Sequence, residues 1–271
     1  MKRSLQASLA ALVLVLCMVL SPALVNATVT LTDLNSTVTI NPDSQSGASS
    51  WTVGGVNQLY QQWFWYRLGP TGGESSIDTI SAATVNQTTR IADISYANDL
   101  LALQITYTLT GGTTGSGTSD LAETIRITNN SSTSLDLHFF QYSDFDLGGS
   151  PGGDTVQISA AHNTVDQTKD ASTLSETIVG PTPNHWAVGT FPATLNTLNS
   201  GNPTTLDDSV GPLGPTDATW AFEWDQTIDP GGAFIISKDK RIAPIPLPPS
   251  ALLLGSGLVG LVGFGIRRRQ G

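Results

Sequence analysis

A histidine, a tyrosine and three aspartates occupy alternate positions of the stretch 135–147. On a β-strand, alternate side chains share a face. One face would carry Leu135, Leu137, Phe139, Phe145 and Leu147, and the other Asp136, His138, Phe140, Tyr142, Asp144 and Asp146. The first set predicts core. The second predicts an acid/base site in a cleft, because imidazole, phenol and carboxylate groups can transfer protons. The alternative is a solvated outer face, and no third group is placed to orient His138.

Two tryptophans and an arginine alternate in the most aromatic stretch of the chain. Trp63, Trp65 and Arg67 would share one strand face, with Phe64 and Tyr66 on the other. If the indoles are open to solvent, they form a platform on which a sugar ring could stack. If both faces are covered, the rings only fill volume. The candidate carbohydrate-binding residues are therefore Trp63, Trp65, Arg67, His138, Tyr142 and Asp144.

Two sets of residues could supply ligands to a metal ion. Asp144, Asp146 and Asp154 flank glycine pairs and could bind Ca²⁺, but the EF-hand pattern and its closing glutamate are absent. His162 and His185 could join His138 in a zinc site only if the fold gathers them, and their spacing does not predict this. No nucleophile elbow, phosphate loop or dinucleotide fingerprint is present. The sequence predicts no catalytic residues, no metal and no cofactor.

The elements that must position these residues are strands. Residues 28–243 are rich in Thr, Ser, Gly, Val and Ile, and turn residues break them into short runs. No sustained 3.6-residue apolar period is present, which disfavours a doubly wound α/β fold. Short connections favour antiparallel neighbours, and one sheet could not bury so many half-apolar strands. The sequence predicts an all-β fold, a two-sheet antiparallel β-sandwich.

The strands can be placed from turn signals. They are expected at 28–31, 37–40, 51–53, 58–67, 84–87, 90–96, 100–109, 121–128, 135–147, 155–160, 177–179, 185–189, 219–224 and 233–237. Six prolines predict mainly long loops over 161–217. The Asp-Pro-Gly-Gly turn at 229–232 predicts a final hairpin.

The start of the chain predicts export. In residues 1–27, basic Lys2 and Arg3 precede an apolar run, and Ala27 is the small residue that signal peptidase needs. We expect a signal peptide cleaved after Ala27. Cys17, the only cysteine, lies in the apolar run, so the exported part would have no disulfide and no thiolate site.

The exported part is acidic. The chain has 22 acidic and 12 basic residues, and five of the basic ones lie in 1–27 and 244–271, so 28–243 has a formal charge of 7 − 22 = −15. A partner nucleic acid is not expected, because no basic stripe is available to neutralise phosphates. A solvated acidic surface suits an exported protein.

The end of the chain has three parts: a proline motif, an uncharged run over 251–266 and an arginine cluster. As a helix, the uncharged run would be about 24 Å long, less than the roughly 30 Å of a hydrocarbon core. It predicts a transmembrane helix at about 250–266 that spans a thin bilayer. The arginines would lie on the cytoplasmic side. The sorting residues are Pro246, Leu247, Pro248, Pro249, Arg267, Arg268 and Arg269.

Taken together, residues 244–271 resemble the PEP-CTERM sorting signals of Gram-negative bacteria, although Pro-Leu-Pro stands where the signature has Pro-Glu-Pro. The resemblance implies an exosortase-type processing enzyme as partner, contact with the lipid bilayer, an inner-membrane-anchored precursor, and delivery to the cell surface or extracellular matrix. Residues 51–69, especially 57–67, and residues 139–147 also resemble exported PEP-CTERM proteins with no assigned activity. Residues 121–147 are similar to the β-sandwich of aldose-epimerase-like proteins, but no catalytic residue carries over.

Two functions follow from these features. The lack of a catalytic motif favours a non-enzymatic structural or adhesive protein of the cell envelope or extracellular matrix. The alternative is a carbohydrate-binding or carbohydrate-modifying, aldose-epimerase-like domain, with extracellular polysaccharide as its partner.

Overall fold

The computed structural model describes residues 28–245, whose regular structure is mostly β-strand. Thr, Val and Ile alternate with polar residues along the strands, and Gly, Asn and Asp stand at many turns. The strands are β1 (Val29–Asp33), β2 (Ser36–Asn41), β3 (Gly47–Val53), β4 (Val56–Asn57), β5 (Gln61–Leu68), β6 (Ser75–Ser76), β7 (Thr84–Gln87), β8 (Ile91–Ala97), β9 (Leu101–Gly111), β10 (Ser119–Asn129), β11 (Leu135–Asp144), β12 (Asp154–Ile158), β13 (Thr164–Lys169), β14 (Ser172–Gly180), β15 (His185–Thr190), β16 (Leu213–Thr216), β17 (Ala218–Ile228) and β18 (Ala233–Pro244). Short helical pieces lie at Ile77–Thr79, Leu147–Gly149 and Ala193–Leu198.

The strands form two nine-stranded sheets. The first has the order β1-β2-β3-β5-β11-β17-β15, with β4 paired to β3 and β6 paired to β5. The second has the order β16-β12-β13-β14-β18-β10-β9-β8-β7. Among the described strands, neighbours pair antiparallel except for a short parallel contact between β3 and β5. The prediction of an all-β fold with two antiparallel sheets is confirmed.

Alternate residues of β11 point into the core between the sheets. Leu137 and Phe139 are fully buried, and Phe139 stacks on Phe64 with 5.6 Å between ring centroids. Just beyond the strand, Phe145 stacks on Trp220 at 5.4 Å. Each such side chain stabilises the fold by roughly 1.5–3 kcal/mol through burial. The apolar face predicted for 135–147 is therefore buried, and the polar face points away from the second sheet.

A buried ionic cluster lies between the sheets. Lys238 and Lys240 of β18 meet Glu123 and Glu176, and none of the four side chains is exposed. Lys238 Nζ lies 2.5 Å from Glu123 Oε2 and 3.3 Å from Glu176 Oε1. From the first sheet, Gln141 Nε2 donates to Glu176 Oε1 at 2.7 Å. The cluster thus links the sheets by charge-assisted hydrogen bonds.

The charge state of Glu176 follows from these partners. Burial alone would raise the pKa of its carboxyl, but Lys240 and Lys238, with hydrogen bonds from Gln141 and Trp220, lower the pKa to about 2. Trp220 Nε1 donates to Glu176 Oε2 at 2.9 Å. Glu176 therefore stays ionised at neutral pH and balances the lysines.

The predicted final hairpin is wrong. β17 lies in the first sheet and β18 in the second, so the turn at 229–232 carries the chain across the sandwich. β18 pairs with β10 and β14 along most of its length. Those long ladders, with strands distant in sequence, override the local turn signal.

The region 161–217 is more regular than its prolines predicted. It contains β13, β14, β15, β16 and the helix Ala193–Leu198. The connection between β15 and β16, residues 191–212, includes this helix and packs on the outer face of the first sheet, and we call it the covering segment. Asn199 and Leu206 of this segment hydrogen-bond to Trp65 and Glu223 of the sheet.

No helix within residues 28–245 is long and apolar enough to cross a membrane. The predicted signal peptide, the transmembrane helix at about 250–266 and the sorting residues lie outside the described residues.

Candidate functional site

The predicted polar face of β11 divides between two ends of the strand. His138, Tyr142 and Asp144 share the outer face of the first sheet. Asp144 lies six positions after His138, which corresponds to about 20 Å along a strand. Phe140 and Tyr142, both buried, lie between them. His138 and Asp144 therefore belong to two separate sites instead of one acid/base constellation.

The two tryptophans of β5 are buried. Trp63 and Trp65 are 0% exposed. Their indole N–H groups donate to Ser76 Oγ at 3.0 Å and to Asn199 Oδ1 at 3.2 Å. Trp65 also packs edge-on against Tyr142, with 6.3 Å between ring centroids. The two rings therefore fill volume inside the protein and do not form an open platform on which a sugar could stack.

Arg67 is also buried, and its guanidinium joins the loop that carries Glu74 to the covering segment. Its Nε lies 3.2 Å from Glu74 Oε1 and its second terminal nitrogen donates to the Thr204 carbonyl at 3.3 Å. Glu74 Oε1 in turn accepts from the Thr204 N–H at 2.7 Å. These contacts fix the covering segment to the sheet and leave Arg67 little reach toward a ligand.

The end of β11 that carries Asp144 opens into a cleft of about 370 Å³. We call it the aspartate cleft, and it is lined by Tyr60, Asp144, Asp146, Pro151, Phe191 and Asp217. Carboxylate oxygens of its three aspartates lie within 4.8 Å of one another. The ends of four neighbouring strands, β5, β11, β17 and β15, meet here because adjacent strands run antiparallel.

Asp144 is the buried member of the cleft. Its side chain is 1% exposed, Oδ2 accepts from the Tyr142 hydroxyl at 3.3 Å, and Oδ1 has no hydrogen-bond partner. Burial raises its pKa to about 7, and the negative charges of Asp217 and Asp146 add to the effect. Near neutral pH this carboxyl is thus protonated in a large fraction of molecules.

A glycine turn places Asp146 beside Asp144. Gly148 and Gly149 have φ values of +75° and +81°, a left-handed conformation that glycine adopts without strain. The Gly148 N–H donates to Gln58 Oε1 at 2.8 Å, which anchors the turn. Burial, followed by the charge of Asp217, raises the pKa of Asp146.

Aromatic rings form the rim of the cleft. Tyr60 is 52% exposed, and its ring packs edge-on against Phe191 with 5.5 Å between centroids. Tyr60 also borders a second hollow of about 480 Å³, which we call the amide hollow, lined by Gln45, Ser46, Ser49, Tyr60, Gln61, Leu195 and Asn199. An exposed ring between carboxylates on one side and amides and hydroxyls on the other is an arrangement suited to an amphipathic, hydroxyl-rich ligand.

Sequence reasoning missed Tyr60, Phe191 and Asp217. None lies in a local pattern that marks a site, and they meet Asp144 only because strand ends converge. The sequence suggested Asp144, Asp146 and Asp154 as Ca²⁺ ligands. In the structure, the carboxylate grouped with Asp144 and Asp146 is that of Asp217. With one oxygen from each, the three carboxylates supply fewer than the six to eight oxygens that Ca²⁺ takes, so a cation held in this way would need several waters.

The opposite end of β11 carries the histidine cluster, which we define as His138, His185, Asp208, Glu223 and Asp225. Asp225 and Glu223 lie two residues apart on β17, with His138 across from Asp225 on β11 and His185 across from Glu223 on β15. His138 Nδ1 is 2.5 Å from Asp225 Oδ1 and 3.9 Å from Glu223 Oε1. Strand alternation on β17 could have revealed this carboxylate pair.

The third histidine lies elsewhere. His162 stacks on the ring of Trp186 with 3.7 Å between centroids. The structure thus brings His138 and His185 to the same carboxylate, Asp225, and leaves His162 in a separate aromatic contact.

The buried carboxyls predict a maximum of stability near pH 4.5. Asp144 and Asp154 have folded-state pKa values of about 7 and about 6, above the ordinary 3.8, so the folded chain binds more protons and loses stability as pH rises from about 4 to 7. Asp144 contributes roughly 2–4 kcal/mol of this loss. Glu176, with its lowered pKa of about 2, loses its stabilising effect as pH falls below 4.5.

Thermal unfolding of the full-length chain at pH 3, 4.5 and 8 measures this profile. We expect the highest Tm at pH 4.5, and a smaller drop toward pH 8 in Asp144→Asn than in the wild type. The exposed Asp166→Asn is the matched control. A Tm that rises between pH 4.5 and 8 would contradict the assignment.

Comparisons with known proteins concern the fold. No protein-family model matches this chain, and no curated protein is similar to it in sequence. Among solved structures, a proposed aldose 1-epimerase from Escherichia coli K12 superposes with a TM-score of 0.57 at 8% identity, covering 81% of this chain and 99% of that one. The fold is similar to an aldose-epimerase β-sandwich.

Two further structures agree. The Slr1438 protein from Synechocystis sp. PCC 6803 gives a TM-score of 0.56 at 11% identity, with 80% and 96% of the two chains covered. A galactose mutarotase related enzyme from Lactobacillus acidophilus gives 0.52 at 9% identity, with 81% and 98% covered. The aldose-epimerase-like resemblance noted for 121–147 is thus confirmed for the fold, and at these identities the likeness extends no further.

Proposed function

We propose that this protein binds a carbohydrate in the aspartate cleft and catalyses proton transfer at its anomeric centre, interconverting the α and β forms of an aldose. The observation that carries the proposal is Asp144, a buried carboxyl with a pKa of about 7 and a free oxygen, set beside two other carboxyls at the floor of an aromatic-rimmed cleft. The sandwich shared with a galactose mutarotase related enzyme supports it. Of the two functions the sequence allowed, these features favour the carbohydrate-modifying one over the adhesive one.

The chemistry needs one acid and one base. Protonated Asp144 donates its proton to the ring oxygen while the Asp217 carboxylate accepts the proton of the C1 hydroxyl, so the C1–ring oxygen bond breaks and an open-chain aldehyde forms. Rotation about the C1–C2 bond and the reverse proton transfers close the ring as the other anomer. Both carboxyls end with the protons they began with. Burial keeps the proton on Asp144, the acid of this pair, in a large fraction of molecules near neutral pH.

The Tyr60 ring is placed to cover the apolar face of the sugar. Replacing it in Tyr60→Ala should weaken binding of D-galactose and D-glucose about tenfold, because the lost stacking area is worth roughly 1.5 kcal/mol. Calorimetric titration of the full-length chain measures the affinity. The matched control is Leu100→Ala, which removes a side chain of similar exposure, 49%, away from the cleft. Equal affinities in Tyr60→Ala and the wild type would refute the sugar site.

Export and sorting stay predictions of the sequence. We propose that the chain is exported after cleavage at Ala27, anchored by 244–271 and processed by an exosortase-type enzyme, which would bring the aspartate cleft to extracellular polysaccharide. Fractionation of cells that express the chain with and without residues 244–271 tests this proposal.

A further inference from the structure

The histidine cluster is a second site, separate from the aspartate cleft. We propose that His138, His185, Glu223 and Asp225 bind one divalent transition-metal ion, with Zn²⁺ as the best-fitting case. The proposal does not depend on the function proposed for the cleft.

The ligand atoms come from three adjacent strands. Asp225 lies between the two imidazoles, with His138 Nδ1 at 2.5 Å from Oδ1 and His185 Nε2 at 3.9 Å from Oδ2. Glu223 Oε1 lies 3.9 Å from His138 Nδ1. Ligand atoms around a tetrahedral Zn²⁺ stand about 3.3 Å apart at bond lengths of 2.0–2.1 Å. The candidate ligand atoms of His138, Glu223 and Asp225 lie within 4.8 Å of one another, so shifts of roughly 1–2 Å would bring these three onto one ion. His185 would complete the set by a larger movement of its ring.

Glu223 supplies an independent indication of a ligand. Its side chain is 0% exposed, and its Oε2 accepts from the Leu206 N–H at 2.8 Å. Its other oxygen, Oε1, faces His138 and has no hydrogen-bond partner. A buried acceptor left without a partner costs about 1–3 kcal/mol, so such atoms call for an ion, a water or a proton.

The surroundings favour a cation with nitrogen affinity. Asp208 Oδ1 lies 3.0 Å from His185 Nδ1, so a proton on Nδ1 would leave the Nε2 lone pair directed toward Asp225. A carboxylate that holds a metal-binding histidine in this way is a typical outer partner in zinc sites. Two imidazoles with two carboxylates suit Zn²⁺ and related metals, whereas Ca²⁺ and Mg²⁺ prefer oxygen ligands alone.

The test is calorimetric titration of the chelator-treated full-length chain, without a histidine tag, with zinc sulfate and with calcium chloride. We expect one Zn²⁺ per chain. His138→Ala and Glu223→Gln should each weaken Zn²⁺ binding at least tenfold. The matched control, His162→Ala, removes a histidine outside the cluster and should leave binding unchanged. Asp144→Asn should also leave it unchanged, which separates this site from the aspartate cleft.

Absorption spectra of the Co²⁺-loaded wild-type chain give a second readout, with the visible bands of tetrahedral coordination expected. If a cluster variant does not fold, His185→Ala, at a partly exposed position, repeats the comparison. Absence of Zn²⁺ binding by the wild type overturns the proposal. So does binding that survives in all the cluster variants, or that is lost equally in His162→Ala.

Discussion

Asp144→Asn should slow anomer interconversion at least a hundredfold at neutral pH. The amide keeps the shape of the side chain but has no proton to give to a ring oxygen, and positioned general acids contribute about 10²–10⁴ in rate. Because a buried carboxyl that resists ionisation is removed, the variant should fold at least as well as the wild type at pH 7. NMR exchange spectroscopy of D-galactose with the full-length chain gives the rate.

The control for this variant is Asp166→Asn, which removes an exposed carboxylate of β13 in the other sheet. It should leave the rate unchanged. A folded Asp144→Asn variant with the wild-type rate would show that the acid is another group.

Glu176→Leu should lower the free energy of unfolding by about 3–5 kcal/mol. The substitution leaves Lys238 and Lys240 buried with Glu123 as their one remaining carboxylate in the cluster, and an uncompensated buried charge is costly. It also removes the acceptor of the Gln141 and Trp220 hydrogen bonds that join the sheets. For a domain of this size, we expect Tm to fall by about 6–20 °C.

Two further variants separate charge from packing. Arg241→Ala breaks the surface pair with Asp120, whose atoms lie 4.0 Å apart, and should cost less than about 1 kcal/mol. The double variant Glu176→Leu with Lys240→Met restores the charge balance and should recover much of the lost stability. If Glu176→Leu unfolds at the wild-type temperature, the cluster contributes nothing to stability.

The sequence was sufficient to predict the local features of this fold. Alternation within 135–147 predicted the buried Phe139 and the outward-facing His138 and Asp144, because side-chain period follows directly from strand geometry. The strand 84–87 was predicted with the bounds that β7 has in the structure. Gly148 and Gly149 form one of the glycine pairs that the aspartates flank in the sequence, and both adopt positive φ.

Long-range pairing could not be predicted in the same way. The turn at 229–232 is compatible with a hairpin, and only the ladder between β18 and β10, more than a hundred residues apart in sequence, shows that the chain changes sheets. The burial of Trp65 depends on the covering segment and that of Trp63 on the segment that carries Ser76, and no local pattern specifies the path of either.

Both candidate sites illustrate the same point. The sequence identified Asp144 and His138 but joined them in one site, because alternation gives the face and not the distance between functional partners. Asp217 and Tyr60 enter the cleft from the ends of other strands, and Glu223 and Asp225 reach His138 across a strand pair. Such partners become visible only when strand order and register are known.

The central claim is that the aspartate cleft exchanges protons with a bound sugar. Its most direct test is the rate at which the α and β forms of D-galactose interconvert with the wild-type full-length chain, compared with buffer and with Asp144→Asn. We predict exchange well above the buffer rate with the wild type, and exchange close to the buffer rate with the variant. A wild-type chain that leaves the exchange rate of D-galactose and D-glucose at the buffer value would contradict the claim.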